Sequence, residues 1–327
     1  MVLLPAGIPG GVIAQARAEG RSRPLPARGE ATRVVMQNVD FYVDPSVVLH
    51  IRRLRGEMRS RRGGVIVFDD KRSFVIRIDS ADVGLDGIGL TTLMNKYIFG
   101  YRGAPITRVT VTIAAGEMRM TGRLRKGVSI PFDIHAQVSA TSDGMMRIHP
   151  VQTRIFHLNG DVLMRALGLS LQKLIDVTKA TGVAVQGNDI IVDPVKVIPP
   201  PAIEGHVSRV RVDGDEIVQT FGAGPGHAAQ LRAAQPGSAQ PHSVPPDPAA
   251  RNYMYYRGGS IRFGRLTMEN AEMQIVDLDP SDPFKFDLDR YAGQLIAGYS
   301  RTLPDLGLEV FMRDVDKIGT QRGAVKH

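Results

Sequence analysis

Three groups of side chains in this sequence have types and spacings from which chemistry could be built. The first is histidine. His135, His149 and His157 fall within one stretch. A zinc site needs several such ligands converging on one point, and none of these has a second ligand at helical spacing. They read as surface or strand-edge histidines. The second group is acidic: Asp277, Asp279, Asp282, Asp287 and Asp289. Carboxylates so spaced suggest calcium. The run lacks the glycine and terminal glutamate of a helix-loop-helix calcium loop, however, and Pro280 and Pro283 mark a turn. The third group is basic: Arg52, Arg53, Arg55, Arg59, Arg61 and Arg62, with Glu57 as the only acid among them. Guanidinium at that density can grip phosphate, on nucleic acid or on lipid headgroups, or it can be a solvated face.

Several chemistries are missing. There is no phosphate-binding glycine loop, no dinucleotide fingerprint and no nucleophile elbow. No nucleophile, base and orienting residue can be named together, so the sequence points away from an enzyme, and no metal or cofactor is expected. Aromatics are not interleaved with the arginines, which weakens a single-strand nucleic-acid reading. No recognition-helix or RNA-motif signature accompanies them.

The elements that would position these groups are organised around Ile106–Ile155. Apolar and polar residues alternate along it, the period of a strand with one buried face. Ile130, Phe132, Ile134, Ala136, Val138 and Ala140 fall on one side, and Ser129, Asp133, His135, Gln137 and Ser139 on the other. The preceding strand repeats the pattern, with Met118, Met120 and Leu124 inward and Glu117, Arg119, Thr121, Arg123 and Arg125 outward. Ala114-Ala115-Gly116, Lys126-Gly127 and Ser142-Asp143-Gly144 supply turns. The spacing predicts a long antiparallel meander with an apolar inner face.

Around it, Arg33–Val43, Val47–Met58 and Ser73–Asp79 read as strands. Gly89–Phe99 changes to helical period through Leu90, Leu93, Met94, Tyr97 and Ile98. A second helical pattern covers residues 161–179, and hairpins are predicted at Val183–Val192 and Ile203–Phe221. Residues 222–251 are rich in Gly, Pro and Ala and read as a linker. Short strands follow, with a helix expected over Phe286–Tyr299 and a closing strand at Leu308–Met312. The domain division is a tail or degenerate export signal at 1–31, an α+β domain at 32–221, the linker, and a C-terminal β-rich extension at 252–327.

Composition bounds the partners. The 327 residues carry a formal charge of +8, which favours an anionic partner such as a membrane surface. Cysteine is absent, which excludes disulfides and thiolate metal sites. No run of eighteen apolar residues occurs, so no transmembrane helix is expected. Residues 1–14 are mildly apolar, and Ala16-Arg17-Ala18 has the form of a cleavage site. That leaves a periplasmic or envelope location open beside a cytoplasmic one.

Residues 139–150, Ser-Ala-Thr-Ser-Asp-Gly-Met-Met-Arg-Ile-His-Pro, resemble a strand-turn-strand of the bacterial tubular lipid-binding (TULIP-type) envelope proteins. So does the order of a helix bearing Leu93-Met94-Asn95 followed by strands. The stretch 187–221 is similar to the closing segment of the same group. The resemblance covers roughly 35–221 and leaves 252–327 outside. It implies a highly curved antiparallel sheet wrapped round helices, an apolar tunnel, and non-enzymatic binding or transfer of lipid or phospholipid. The candidate lining is Leu90, Leu93, Met94, Ile98, Phe132, Ile134, Val138, Leu163, Leu167, Leu171, Leu174 and Ile175. The arginine cluster then becomes a peripheral dock on an anionic membrane. Exposing an acyl chain to water costs about 0.8 kcal/mol per methylene, so sheltering sixteen carbons is worth on the order of 12 kcal/mol. A basic nucleic-acid-binding protein and a structural envelope module with a filled core remain as alternatives.

Overall fold

The computed structural model describes residues 31–126, 128–155, 158–159, 176–222, 247–303 and 307–318. The chain begins with β1 (Thr32–Asp44), β2 (Val47–Ser60), the short β3 (Ile66–Val67) and β4 (Phe74–Asp86). Helix α1 (Gly87–Thr92) runs on into a π-helical stretch at Leu93–Ile98. The meander is β5 (Ile106–Ala114), β6 (Glu117–Lys126), β7 (Val128–Ala140) and β8 (Met146–Ile155), with β9 (Leu158–Asn159) after it. One hairpin is β10 (Val183–Gln186) and β11 (Asp189–Val192). Then come β12 (Ala202–Glu204) and the hairpin of β13 (Val207–Asp213) and β14 (Glu216–Phe221). The C-terminal stretch holds β15 (Tyr253–Phe263), β16 (Leu266–Asp277), β17 (Phe284–Asp287), α2 (Tyr291–Ile296), β18 (Tyr299–Thr302) and β19 (Leu308–Met312).

These strands form two open sheets, so the molecule is mostly β. Among the described residues the larger has 12 strands, in the order β13-β14-β4-β2-β1-β15-β16-β19-β18, with β12 on β4, β17 on β1 and β3 on β15. The smaller has 7, in the order β10-β11-β8-β7-β6-β5, with β9 on β8. β15 pairs with β1 from Arg33↔Arg257 to Gln37↔Tyr253, so strands of the stretch 252–327 share a sheet with the N-terminal strands.

Two local expectations change. The short strands read after residue 252 are one long hairpin, β15 and β16, paired from Tyr253↔Val276 to Phe263↔Leu266. The helix expected over Phe286–Tyr299 contracts to α2. Phe284–Asp287 instead runs parallel to β1, from Val39↔Phe284 to Tyr42↔Asp287. A ladder with a distant strand outweighs the local helical pattern there. The second helical pattern at 161–179 lies mostly outside the described residues.

Local sequence explains how the sheets are joined. Asp86 caps α1 by accepting a hydrogen bond from Gly89 N at 2.7 Å. A Cβ on Gly87 would sit 2.7 Å from the Val111 carbonyl oxygen, so the helix start can approach β5 only without a side chain. Asn95 then grips β5. Its Nδ2 donates to Val109 O at 2.7 Å and its Oδ1 accepts from Val109 N at 2.9 Å. The side-chain amide completes both backbone groups at the irregularity in β5, where Arg108 has φ of 53°.

Candidate ligand cleft

The inner face of the larger sheet is apolar by simple alternation. On β2, Val47, Leu49 and Ile51 point in. The register then shifts between Ile51 and Arg53, and Leu54 and Met58 take up the inner face again. The bulge leaves both Arg52 and Arg53 outside. β4 does the same with Ile76 and Ile78, then Ala81, Val83 and Leu85.

This face does not pack solid at one end. Met36, Phe41 and Val43 of β1, Leu49, Ile51 and Leu54 of β2, Ile76, Ile78, Val83 and Leu85 of β4, and Phe221 of β14 wall a cleft. Ile198, Pro201 and Ile203 close over it. The space enclosed between the walls is small, about 30 Å³, and rises to about 580 Å³ only when the open solvent at the mouth is included. The enclosed part is water-sized, so a longer ligand must part the walls. It is a slot rather than a chamber, since its residues on β1, β2, β4 and β14 are each 8% exposed or less.

Among the described residues one polar side chain lies among these walls. Gln219 of β14 is 6% exposed and lines the cleft. It sits opposite Val83 on β4 and Val210 on β13. Its amide makes no side-chain hydrogen bond among the described residues. Two other buried glutamines differ. Gln274 exchanges bonds with the backbone of Asp247, at 2.6 Å and 3.0 Å. Gln294 accepts from Asp287 N at 2.9 Å and donates to Lys285 O and Arg313 O, both at 2.8 Å. Those two tie backbone segments together, and Gln219 ties nothing.

The sequence-derived lining residues lie elsewhere. Leu90, Leu93, Met94 and Ile98 are buried between the helical stretch and its surroundings, at 5%, 2%, 5% and 2% exposure. Ile134 is buried under the smaller sheet, and Phe132 and Val138 are half-buried against the same core. Phe132 lies across Gly122 on the neighbouring strand, where a Cβ would meet its ring at 2.8 Å. None of these seven walls the cleft. Leu163, Leu167, Leu171, Leu174 and Ile175 lie outside the described residues. The cleft residues were visible in the sequence only as ordinary inward positions of strands, the same signal that a filled core gives.

Behind the cleft the outer face is charged. The arginine cluster meets more acid than its own stretch contains. Arg52 reaches Asp213 at 2.7 Å and Glu216 at 3.4 Å, and Arg53 reaches Asp82 at 2.7 Å. Arg59 pairs with Glu57 at 2.5 Å, and Arg62 with Asp70 at 3.7 Å. Five carboxylates, four of them from outside the cluster's own stretch, thus stand against the six guanidiniums. Arg55 and Arg61 are exposed and have no ion-pair partner among the described residues.

A tighter row crosses this face. His50 Nδ1 is 2.8 Å from Asp40 Oδ1, and its Nε2 is 3.9 Å from Glu216 Oε1. Glu216 comes from β14, across β4, and it crosses where β4 carries Gly84. A Cβ there would lie 2.0 Å from the Glu216 carboxylate. Burial alone would lower the His50 pKa, but the Asp40 bond and the charges of Glu216 and Asp86 outweigh it and raise it. Burial raises Glu216 despite His50 and Arg52.

The other candidates are held by structural partners. His135 is 3.6 Å from Glu117, and His149 is 2.6 Å from Asp189. His157 lies outside the described residues. Asp287 accepts the Asp289 N–H at 2.9 Å and pairs with Arg290 at 2.7 Å, while Asp289 meets Lys71 at 2.7 Å. Lys317 bridges Asp279, Asp282 and Asp314, and Lys285 pairs with Asp282 at 2.8 Å. Asp277 is pushed up to about 6 by burial, against the bond it accepts from Asn252. No group able to hold a metal occurs among the described residues.

No helix among the described residues is long and apolar enough to cross a membrane. No family model, no curated protein and no solved structure matches this chain.

Proposed function

We propose that this protein binds lipid and holds or transfers it without bond chemistry, in a bacterial envelope, with an acyl chain seated beneath β14, β4, β2 and β1. One observation carries the reading: apolar side chains from four strands and from residues 198–203 converge on one cleft that opens to solvent at its mouth. Each methylene sheltered there contributes about 0.8 kcal/mol. The resemblance to TULIP-type proteins adds to the proposal a sheet curved around its ligand. Native mass spectrometry of the purified chain tests it. Mass adducts of lipid that survive mild and disappear at strong activation are expected. A bare polypeptide mass, together with no uptake of added phospholipid, leaves the structural module with a filled core as the better reading.

The protein is further proposed to dock peripherally on anionic membranes. Because four of the six arginines are already paired, docking rests chiefly on Arg55 and Arg61, each worth about 1 kcal/mol near such a surface. The chain should sediment with vesicles containing anionic phospholipid, not with neutral ones, and moderate salt should release it. Substituting Arg55→Ser with Arg61→Ser should weaken this about tenfold or more. Equal sedimentation of parent and double variant would remove the role from these residues. Tight, salt-sensitive retention on duplex DNA instead would favour the nucleic-acid reading.

A further inference from the structure

We infer that the cleft selects an apolar chain carrying one uncharged hydrogen-bonding group, such as an ester or amide carbonyl or a hydroxyl, and that Gln219 is the residue that reads it. The inference rests on the ligand-binding reading above and specifies the ligand's chemistry. The Gln219 amide has no side-chain hydrogen bond among the described residues and is not sealed from solvent, so it is reached through the cleft mouth, whereas the two other buried glutamines described above bond to backbone groups. Gln219 is nine-tenths buried, faces a space, and offers two N–H donors and a carbonyl acceptor to whatever enters.

The remaining walls decide the charge of that group. Among the described residues no Lys, Arg or His lines the cleft. A carboxylate or phosphate placed against Gln219 would be desolvated with only a neutral amide for compensation. The charged residues of these same strands, His50, Arg52, Arg53, Asp82 and Glu216, form their pairs on the opposite face. A neutral carbonyl or hydroxyl accepts or donates one bond and adds no such penalty. Gln219 sits on β14, toward one edge of the sheet, so the hydrocarbon extends across β4 and β2 toward Met36 and Phe41 on β1. At ~4.8 Å between strands that path is about 14 Å. An ionic headgroup, if the ligand has one, therefore lies outside the cleft, and the group near Gln219 is the linkage or a chain substituent.

Competition against a bound neutral dye, N-phenylnaphthylamine, tests this on the full chain. Methyl laurate, lauric acid and dodecane have the same chain and differ in the polar group. Methyl laurate should displace the dye at lower concentration than either of the others. In Gln219→Leu the preference for methyl laurate over dodecane should fall about three- to tenfold, the range of one neutral hydrogen bond. Gln219→Met, which keeps the length of the side chain, should behave alike and covers the case of a leucine variant that folds poorly. Gln137→Leu, on the exposed face of β7, should keep the parent preference. An unchanged preference in both Gln219 variants overturns the role of Gln219 and leaves the lipid reading standing. Tighter displacement by lauric acid than by its ester overturns the uncharged group. If neither dye nor competitor binds, the cleft is filled by the chain itself and both readings fail.

Discussion

The two ends of the larger sheet are built from the same strand pattern and end in opposite states. At the end formed by β15, β16 and β17, aromatic rings fill the inner face. Phe68 meets Tyr256, Phe263, Phe74 and Tyr291 at centroid distances of 5.4, 5.0, 6.0 and 6.1 Å, and Phe41 stacks on Phe286 at 5.7 Å. Gln294, buried there, is bonded three times over. At the end formed by β14, β4, β2 and β1 the inward residues are mostly aliphatic and line an open-mouthed cleft, and the amide of Gln219 has no side-chain hydrogen bond among the described residues. Alternation brings apolar groups to a face. Whether they fill it depends on ring size and on which loops return to cover it. Among the described residues, 61–74 and α2 return over one end and 198–203 over the other.

The largest effect that separates the ends is expected at the two glutamines. Gln294→Leu strips partners from the Asp287 N–H and from the Lys285 and Arg313 carbonyls, all in a region with little access to water. At about 1–3 kcal/mol for each unsatisfied group, a loss of roughly 3 kcal/mol or more is expected in urea unfolding. Gln219→Leu removes an amide that has no partner to lose. Its stability should match the parent or exceed it by up to about 1 kcal/mol. Comparable losses in both variants would mean that Gln219 has a structural partner, and the contrast between the ends would disappear.

The sequence made much of this architecture legible and little of the site. The β5–β8 meander, its turns and its inward set of Met118, Met120, Ile134 and Ala136 follow from period-two alternation. The helix through Leu90, Leu93, Met94 and Ile98 follows from period 3.6. The hairpin at Asp213-Gly214-Asp215 follows from the turn glycine, at φ of 66°. What could not be read was pairing between distant segments. Nothing local in Phe284–Asp287 announces a parallel ladder with β1, and nothing in Arg52 or Arg53 announces Asp213 or Asp82. Gln219 shows the limit most clearly. In the sequence it is a polar residue between apolar ones in a hairpin strand. Only the fold establishes that it points inward, and only its missing bonds separate it from Gln274.

The smaller expected effect concerns the charge row behind the cleft, and it tests whether this end has structural polar chemistry outside while its inside is free for a ligand. His50 faces Asp40 along the β1–β2 pairing, Glu216 from β14 and the more distant charge of Asp86 on β4, with Arg52 competing for Glu216. Its pKa is raised in the fold above the ordinary value near 6.5. A base that binds its proton more tightly when folded stabilises the fold fully below its unfolded pKa, and this contribution is lost as pH rises through the folded value. Melting temperature should therefore decline as pH rises from about 6.5 upward. Asp40→Asn removes the carboxylate hydrogen-bonded to the imidazolium. It should cost about 1 kcal/mol at pH 6, where the hydrogen bond is charge-assisted and partly shielded from solvent, and less at higher pH. His50→Asn should flatten the same stretch of the profile. Binding of methyl laurate should not follow this titration, because the row and the cleft lie on opposite faces of one sheet. A melting profile as steep in Asp40→Asn as in the parent would assign the slope to other groups. Ligand affinity that tracked the His50 titration would show that the two faces are coupled through β2 and β4, and the division between a structural outside and a binding inside would have to be given up.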